Sequence, residues 1–214
     1  MTSGRVTVVI ITWNRKAELL HTLERMTALP DQAPVVVVDN GSTDHTADAV
    51  AERFGQVTLL RNARNLGAVA RNLAVRDINT RYVAFCDDDT RWRPGALTCA
   101  ADLLDAHSRL ASVTGRILVA PAMTEDPITP ELRDSPIPGP SWLPGPALLS
   151  VLAGATMFRV TAFREVGGFS PRLWLGGGFA WVMRERRVVP PEVEHGLQLL
   201  EEPQRHSPAR RYVG

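Results

Sequence analysis

The first hundred residues alternate between short apolar runs and amphipathic segments, and no other feature of the chain constrains its fold as strongly. Each apolar run is rich in β-branched residues and has no polar face, as in RVTVVIIT at 5–12, which predicts a strand covered on both sides. The segments between the runs have apolar residues at helical spacing, with helix start and stop signals at their ends. The predicted strands are 5–12, 34–39, 57–61, 81–86 and 110–121, and the predicted helices are 16–29, 42–55, 67–77 and 94–107.

This alternation predicts βαβ crossovers and therefore an α/β fold, with a mainly parallel central sheet and helices on both faces. In open sheets of this kind the carboxyl ends of the strands meet at one edge, where ligands bind. We therefore expect the polar residues that follow the first four strands to lie on one rim. They are Thr12-Trp13-Asn14, the DNGSTD stretch at 39–44, Arg61-Asn62 with Asn65-Leu66-Gly67, and Asp87-Asp88-Asp89.

Three consecutive aspartates, Asp87, Asp88 and Asp89, follow the fourth predicted strand directly. Adjacent carboxylates repel each other, so the arrangement costs free energy unless a cation lies beside it. The chain has neither a dinucleotide-binding glycine fingerprint after the first strand nor a P-loop. A Mg²⁺ or Mn²⁺ ion held by a carboxylate pair is the remaining way to neutralise a diphosphate. Asp87 and Asp89 form such a D-x-D pair, in which one carboxylate ligates the metal and the other reaches a ribose hydroxyl or a metal-bound water.

Composition adds few constraints. A net charge of +1 over 214 residues gives no general attraction to nucleic acid, so we expect no nucleic-acid partner. Two cysteines, Cys86 and Cys99, are typical of a reducing compartment without a disulfide framework. The first apolar run is too short for a signal peptide, and no stretch reaches the length of a transmembrane span. These features favour a cytoplasmic protein and leave peripheral membrane association open.

Four motifs carry a resemblance to a known family: VTVVIITWNR, VVVVDNGSTD, RNLGAVARNLAV and FCDDD. Their order and spacing resemble those of the family 2 glycosyltransferases with the GT-A fold, and EVGGFSPRLWL resembles the acceptor-side segment of that family. The resemblance covers roughly residues 5–177. It implies a GT-A type, Rossmann-like fold and transfer of a sugar from a nucleoside-diphosphate sugar to an acceptor hydroxyl, with inversion and with Mg²⁺ or Mn²⁺. The implied donor is a UDP- or TDP-sugar, and the acceptor is unassigned.

The resemblance also implies roles for residues after the first two strands. Thr12 and Asn14 would line the nucleotide pocket, and Asp39 would accept a hydrogen bond from the base. Ser42 would help to close the pocket at the start of the following helix. Helix capping is the alternative for Asp39, Ser42 and Asp44, because caps commonly use these residue types.

For the next two strands the implied roles concern the sugar nucleotide and the metal. Gly67 would let the backbone pass close to the nucleotide, and Arg71 would contact the base or a phosphate. Asp87 and Asp89 would be the D-x-D pair, with Asp89 also counted as catalytic. Asp88 is grouped with the nucleotide-sugar-binding residues, although it is also typical of a surface carboxylate. The alternatives are a plain turn at Gly67 and a solvated helix face at Arg71.

We divide the chain into four parts: a nucleotide-sugar-binding βα region at 1–119, a proline-rich flexible loop at 120–148, an acceptor-side segment at 149–177 and a divergent tail at 178–214. In the acceptor-side segment, Gly154 would lie near the sugar and Trp174 would form part of the acceptor wall. Six prolines between Pro121 and Pro140 predict that the loop lacks regular structure. The loop is either a flap over the acceptor side or a surface insert.

The tail departs from the family pattern. After GGFSPRLWLGG the family is expected to carry a Glu-Glu or Glu-Asp pair, one carboxylate of which is the general base. Gly178 and Phe179 stand there instead, and Glu185 is the nearest carboxylate. His195, also in the tail, is a candidate metal ligand. True divergence, truncation and a shifted reading frame would each account for the missing pair.

Two hypotheses of different class follow. The first is an active inverting glycosyltransferase whose base is Glu185 or another carboxylate. The second is a non-catalytic nucleotide-sugar-binding protein or degenerate glycosyltransferase fragment. A third, another Mg²⁺-dependent nucleotidyl enzyme, would require a basic triphosphate loop after the first strand, where only Arg15 and Lys16 are present. In each case we expect residues beyond about 188 to be open to exchange, because few apolar residues hold them.

Overall fold

A computed structural model describes residues 4–148 and 151–170, and the backbone of the strand at 211–213. The strands are β1 (Val6–Thr12), β2 (Val35–Asp39), β3 (Thr58–Arg61), β4 (Tyr82–Asp87), β5 (Ser112–Thr114), β6 (Ile117–Val119), β7 (Thr124–Glu125), β8 (Thr156–Arg159) and β9 (Arg211–Val213). The helices are α1 (Lys16–Thr27), α2 (Thr46–Arg53), α3 (Ala70–Asp77), α4 (Ala96–Ala106), α5 (Ile128–Arg133) and α6 (Val160–Glu165), and a 3₁₀ turn, Gly67–Val69, precedes α3.

The central sheet has six strands in the order β3-β2-β1-β4-β8-β5. β1 pairs in parallel with β2 and β4, and β2 pairs in parallel with β3. β8 is antiparallel to both β4 and β5, so it is the strand that runs against the others. The prediction of an α/β fold with a mainly parallel sheet is therefore confirmed.

Two apolar clusters cover the two faces of this sheet. Along β1, Val8 and Ile10 point into the cluster that includes α1, α2 and α4, whereas Val9 points into the cluster that includes α3 and α6. All three side chains are fully buried. Alternate residues of a strand face opposite sides, so a sheet with helices on both faces needs apolar residues at every position, which is the pattern of the first two runs.

The predicted fifth strand at 110–121 is in fact two strands in different sheets. β5 lies at the edge of the central sheet, whereas β6 belongs to a small sheet of order β7-β6-β9. The backbone N–H of Gly115 donates to the carbonyl of Ala155, 3.0 Å away, which continues the β5–β8 pairing by one residue, and the chain leaves the central sheet after it. The strand β8, which separates β4 from β5, was not predicted.

The expectation that prolines exclude regular structure after residue 120 is wrong for α5. This helix begins after Pro127 and has Pro130 in its first turn, where a proline leaves no internal hydrogen bond unmade. Thr129 is buried, and its hydroxyl accepts a hydrogen bond of 3.0 Å from the backbone N–H of Ile117. The expectation of an open tail also differs from the structure at β9, which pairs antiparallel with β6. Within the part of the chain that the structure describes, no helix combines the length and apolar character needed to cross a membrane.

Candidate active site

The carboxyl ends of β1, β2 and β4 form the rim on which the predicted site residues meet. In the parallel register Thr12 lies opposite Asp39, and Ile11 lies opposite Asp87. The Thr12 hydroxyl donates a hydrogen bond of 2.9 Å to Asp88, a residue 76 positions away in sequence. The expected gathering of these residues on one edge is thus a property of the strand register.

Asp39 is buried at the end of β2, with 3% of its surface exposed. Its Oδ2 accepts a hydrogen bond of 3.3 Å from the backbone N–H of Ser42, whereas its Oδ1 is buried without a hydrogen-bond partner. Capping of α2 falls to Asp44, which accepts from the backbone N–H of Thr46 at 3.1 Å. A buried carboxylate oxygen without a donor is costly in a folded protein, so Asp39 has an acceptor that a ligand N–H can use.

Asn14 and Ser42 tie the loop after β1 to the loop after β2. The backbone N–H of Asn14 donates to the Ser42 hydroxyl at 2.9 Å, and the Asn14 side-chain oxygen accepts from the backbone N–H of Thr43 at 2.7 Å. Asn14 adopts a left-handed backbone conformation with φ of 53°, which asparagine tolerates better than most residues. These contacts give the two loops a fixed relative position at the edge of the rim.

Asn40 organises the same rim and was not among the predicted site residues. Its side-chain oxygen accepts from Asn62 Nδ2 at 3.1 Å and from the backbone N–H of Leu66 at 2.9 Å, and its Nδ2 donates to the carbonyl of Gly67 at 3.2 Å. Asn40 therefore fixes the loop after β3, including Gly67, whose φ of 61° is in the left-handed region. The DNGS sequence pointed to this position, but only the folded loop shows its role.

Arg71 projects from the start of α3 toward Asp87, with which it forms a close ion pair. Its side chain is 5% exposed, so it does not form a solvated helix face. The guanidinium carbon lies 5.9 Å from the centre of the Phe85 ring and 5.6 Å from that of Phe169. Two aromatic faces and a carboxylate thus hold Arg71 against Asp87, which is one-third exposed.

Asp88 and Asp89 share Arg15, the residue before α1. Arg15 Nη1 lies 3.4 Å from Asp88 Oδ1, and Arg15 Nη2 lies 2.7 Å from Asp89 Oδ2. Asp88 is buried rather than at the surface, which corrects the alternative considered for it from the sequence. Burial, with the neighbouring Asp89 and Asp87, raises the pKa of Asp88 to about 7 against the opposing effect of Arg15. Burial alone would lower the pKa of Arg15, but attraction by Asp88 and Asp89 outweighs it and raises that pKa.

Gly154 lies directly against the first aspartate. A Cβ at this position would lie 2.6 Å from the Asp87 carboxyl carbon and closer still to one of its oxygens. The predicted acceptor-side segment therefore packs on the D-x-D pair at Gly154. Three further predicted residues, Trp174, Glu185 and His195, lie outside the described residues.

Trp13 is a second rim residue that was not among the predicted site residues. It is 51% exposed, and within the described part of the chain it is the large hydrophobic side chain that is exposed to solvent. It stands between Thr12 and Asn14, so a wide apolar surface borders the polar rim. Such a surface is suited to stacking against a planar ring.

The residues on the rim fit a divalent cation by their chemistry. Asp87 and Asp89 offer hard carboxylate oxygens, which Mg²⁺ and Mn²⁺ prefer. Among the described residues no three His, Cys, Asp or Glu side chains converge closely enough to hold a metal ion by themselves. Mg²⁺ is usually bound through one or two carboxylates together with substrate phosphates and water.

The mainly parallel six-stranded sheet with helices gives the chain the fold of the GT-A class of α/β proteins. Residues 7–167 match the model of glycosyl transferase family 2, and the chain belongs to this family. The N-acetylglucosaminyl-diphospho-decaprenol L-rhamnosyltransferase of Mycobacterium tuberculosis is 27% identical over an aligned length of 208 residues. The alignment covers 78% of this chain and 66% of that protein. TuaG of Bacillus subtilis, a glycosyltransferase assigned provisionally to teichuronic acid biosynthesis, is 36% identical over 92 residues. This alignment covers 40% of this chain and 36% of that protein.

Two solved structures share the fold. The mannosyltransferase PcManGT of Pyrobaculum calidifontis, in complex with GDP-mannose and Mn²⁺, superposes with a TM-score of 0.58 at 26% identity, over 78% of this chain and 48% of that one. Residues 1–349 of S. aureus TarS, in complex with UDP, superpose with a TM-score of 0.59 at 21% identity, over 79% of this chain and 51% of that one. The chain thus spans about two thirds of the mycobacterial relative and about half of these solved chains.

Proposed function

We propose that the chain transfers a sugar from a nucleoside-diphosphate sugar to an acceptor hydroxyl, with inversion at the anomeric carbon and with Mg²⁺ or Mn²⁺. The observation that carries this proposal is the rim itself: Asp39, whose buried Oδ1 has no hydrogen-bond partner, ends β2 at the same edge of the sheet at which Asp87 ends β4. A nucleobase N–H can satisfy the first carboxylate, while the other two serve the ribose and the diphosphate end. Membership of glycosyl transferase family 2 supports the reaction type.

Within this proposal, each rim residue has a part that its contacts support. Asp39 accepts a hydrogen bond from the base, and the exposed ring of Trp13 stacks on it. Thr12 acts through Asp88, whose carboxylate it orients. The remaining nucleotide-sugar contacts are assigned to Asn14, Ser42, Gly67, Asp87 and Asp88.

Arg71 is assigned a positioning part, because its guanidinium is already used on Asp87. A fixed Asp87 can then accept a hydrogen bond from a ribose hydroxyl. Asp89 is the proposed metal carboxylate, with Asp87 beside it. When bound, the cation would offset the negative charge that develops on the departing diphosphate. The missing side chain at Gly154 leaves the space that the Asp87 carboxylate occupies.

A second candidate function is nucleotide-sugar binding without catalysis, as in a degenerate glycosyltransferase. The observation that favours it is the sequence Gly178-Phe179 at the place of the acidic pair that supplies the general base in the family. Loss of a general base typically lowers the rate by a factor of about 10² to 10⁴. Glu185 is our candidate for a replacement base, with His195 as an additional metal ligand and Trp174 in the acceptor wall.

Calorimetric titration of UDP, TDP and GDP, each with Mn²⁺ and again with excess EDTA, tests the proposed site. We expect UDP or TDP to bind in the presence of the metal and to lose most of its affinity in EDTA, because the aspartates and the diphosphate repel each other without a cation. Equal affinity under both conditions would remove the metal from the proposal. Transfer and donor hydrolysis measured for the wild type then separate the two candidate functions, because a protein that only binds the nucleotide sugar does not transfer it. Loss of transfer in Glu185→Gln would identify Glu185 as the base.

The setting of the reaction is part of the proposal. Cys86 and Cys99 are both free thiols, which supports a reducing compartment such as the cytoplasm. The name of the mycobacterial relative specifies an acceptor linked to decaprenol, a lipid. We therefore extend the proposal to peripheral association with a membrane surface, which co-sedimentation with anionic vesicles tests. Protein that stays in the supernatant at low salt would argue against this extension.

A further inference from the structure

Arg15 lies against Asp88 and Asp89, the second and third aspartates of the D-x-D stretch, although neither the strand nor the helix beside it requires an arginine there. Its guanidinium is 2.7 Å from Asp89 and 3.4 Å from Asp88. The two carboxylates are 15% and 8% exposed, whereas the Arg15 side chain is 43% exposed. The anionic side of this contact is therefore fixed in the protein, and the cationic side is open to solvent.

The backbone of Arg15 is held while its side chain is free to turn outward. Its carbonyl accepts a hydrogen bond of 3.0 Å from the backbone N–H of Leu19, which opens α1. The Arg15 guanidinium pairs with Asp88 and Asp89, and Glu18 adds a weaker attraction, so rotation about the side-chain torsions can move the guanidinium without moving the helix. Long arginine side chains on a surface have this freedom.

We propose that Arg15 is a resident counter-cation of Asp88 and Asp89 that yields to a divalent cation and then pairs with the diphosphate of the donor. The inference rests on the proposed function, because Asp89 is the metal carboxylate of that proposal. A guanidinium 2.7 Å from a carboxylate oxygen repels a second cation at the same oxygen. A bound diphosphate gives the displaced guanidinium a new anionic partner within reach of the rim.

The exchange has a consequence for the order of binding. Without nucleotide, the metal must displace Arg15 into water and gains no phosphate ligands, so metal binding to the free protein is weak. With nucleotide, the metal and the diphosphate together compensate both Asp89 and Arg15. Arg15 thus makes the metal and the nucleotide bind as a pair, and it acts as a positioning residue rather than a permanent brace of the loop.

Titration of Mn²⁺ alone, followed by the electron paramagnetic resonance of the free ion, tests the first half. We expect Arg15→Gln to bind Mn²⁺ at least about fivefold more tightly than the wild type. This is the change in affinity expected when the metal no longer has to break a partly exposed ion pair. Arg53→Gln is the matched control, because the Arg53–Glu24 pair has the same 2.7 Å separation and Arg53 is 48% exposed. It should bind Mn²⁺ as the wild type does.

The second half is tested by titrating UDP and uridine at saturating Mn²⁺. Arg15→Gln should weaken UDP binding about tenfold and leave uridine binding unchanged, because only UDP carries the diphosphate. Arg15→Lys keeps the charge and should restore most of the UDP affinity. Circular dichroism and melting curves verify that all variants are folded.

Unchanged or undetectable Mn²⁺ binding in Arg15→Gln would overturn the proposal, as would equal losses of UDP and uridine affinity. Failure of the proposed function has a different signature, namely a wild-type chain that binds neither UDP nor TDP in the presence of Mn²⁺. In that case the titration of Mn²⁺ alone still decides whether Arg15 competes with a cation for Asp88 and Asp89.

Discussion

Replacement of Gly154 by alanine tests how closely the acceptor-side segment controls the first aspartate of the rim. The new methyl group would begin 2.6 Å from the Asp87 carboxyl carbon. Ordinary contact between such atoms requires about 3.5 Å, so the carboxylate must move by roughly 0.9 Å. Asp87 is one-third exposed and is paired with Arg71, whose side chain is 5% exposed, so we expect this movement to break the ion pair.

The expected decrease in the free energy of unfolding follows from the loss of the ion pair between Asp87 and Arg71. Breaking a fully buried ion pair costs about 3–5 kcal/mol. Because water reaches Asp87, we expect a smaller decrease in the free energy of unfolding, about 1–2 kcal/mol. A displaced Asp87 should also weaken UDP binding in the presence of Mn²⁺ by about tenfold or more, which corresponds to about 1.4 kcal/mol.

Urea unfolding and calorimetric titration of UDP measure the two effects. Gly55→Ala is the matched control, because a Cβ at Gly55 meets nothing within 4 Å and the residue has no left-handed φ. Both variants gain the same stabilisation of about 0.4–1 kcal/mol from a less flexible unfolded chain, so their difference isolates the contact with Asp87. If Gly154→Ala unfolds and binds UDP as Gly55→Ala does, Gly154 does not control Asp87.

Three further predictions concern single carboxylates. Asp89→Asn should abolish Mn²⁺-dependent UDP binding and shift the melting temperature of the ligand-free chain by less than about 4 °C, with substitution of the exposed Asp77 by Asn as the control. A large loss of melting temperature would instead assign Asp89 a structural role. Asp31 accepts hydrogen bonds from the backbone N–H of Gly95 and from both the N–H and the hydroxyl of Thr98 at the start of α4, so Asp31→Ala should lower the free energy of unfolding by about 2–3 kcal/mol in urea titrations, and Asp31→Asn by less. Equal stability of Asp31→Ala and the wild type would contradict the capping role. The hydrogen bond from Tyr82 and the pairs with Arg5 and Arg81 lower the pKa of Asp105, so its contribution to the free energy of unfolding is present above the ordinary carboxyl pKa and is lost as the pH falls through the lowered value. The urea midpoints of the wild type and Asp105→Asn should therefore converge between about pH 5 and about pH 2, and a constant difference would refute the linkage.

Much of the rim was predictable because its cause is local. Buried parallel strands need apolar residues at every position, so β1, β2 and β4 were predicted close to their observed bounds. Parallel strands then bring their carboxyl ends to one edge, which places Thr12, Asp39 and Asp87 together from sequence order alone. The three adjacent aspartates required a cation on electrostatic grounds, without knowledge of which cation the fold provides.

The charge partners on the rim were not predictable, because they depend on distances that only packing sets. Arg71 was expected to contact the base or a phosphate, with a solvated helix face as the alternative, yet two aromatic rings hold it beside Asp87. Arg15 was considered only as part of a basic loop after the first strand, yet it reaches Asp88 and Asp89. A residue type and its position in a helix fix neither the side on which it is buried nor its partner across the sheet.

The second half of the sheet was decided by long-range pairing. The run at 110–121 reads as one strand, because β-branched residues continue on both sides of Gly115. It divides because β5 pairs with β8, about 40 residues later in the chain, while β6 pairs with β7 and β9. Local sequence thus determined which residues extend, bury and cluster by charge, since these properties act within a few residues. Only the tertiary structure decided which extended segments pair and which cation meets each carboxylate, since those contacts exist only once distant parts of the chain have packed.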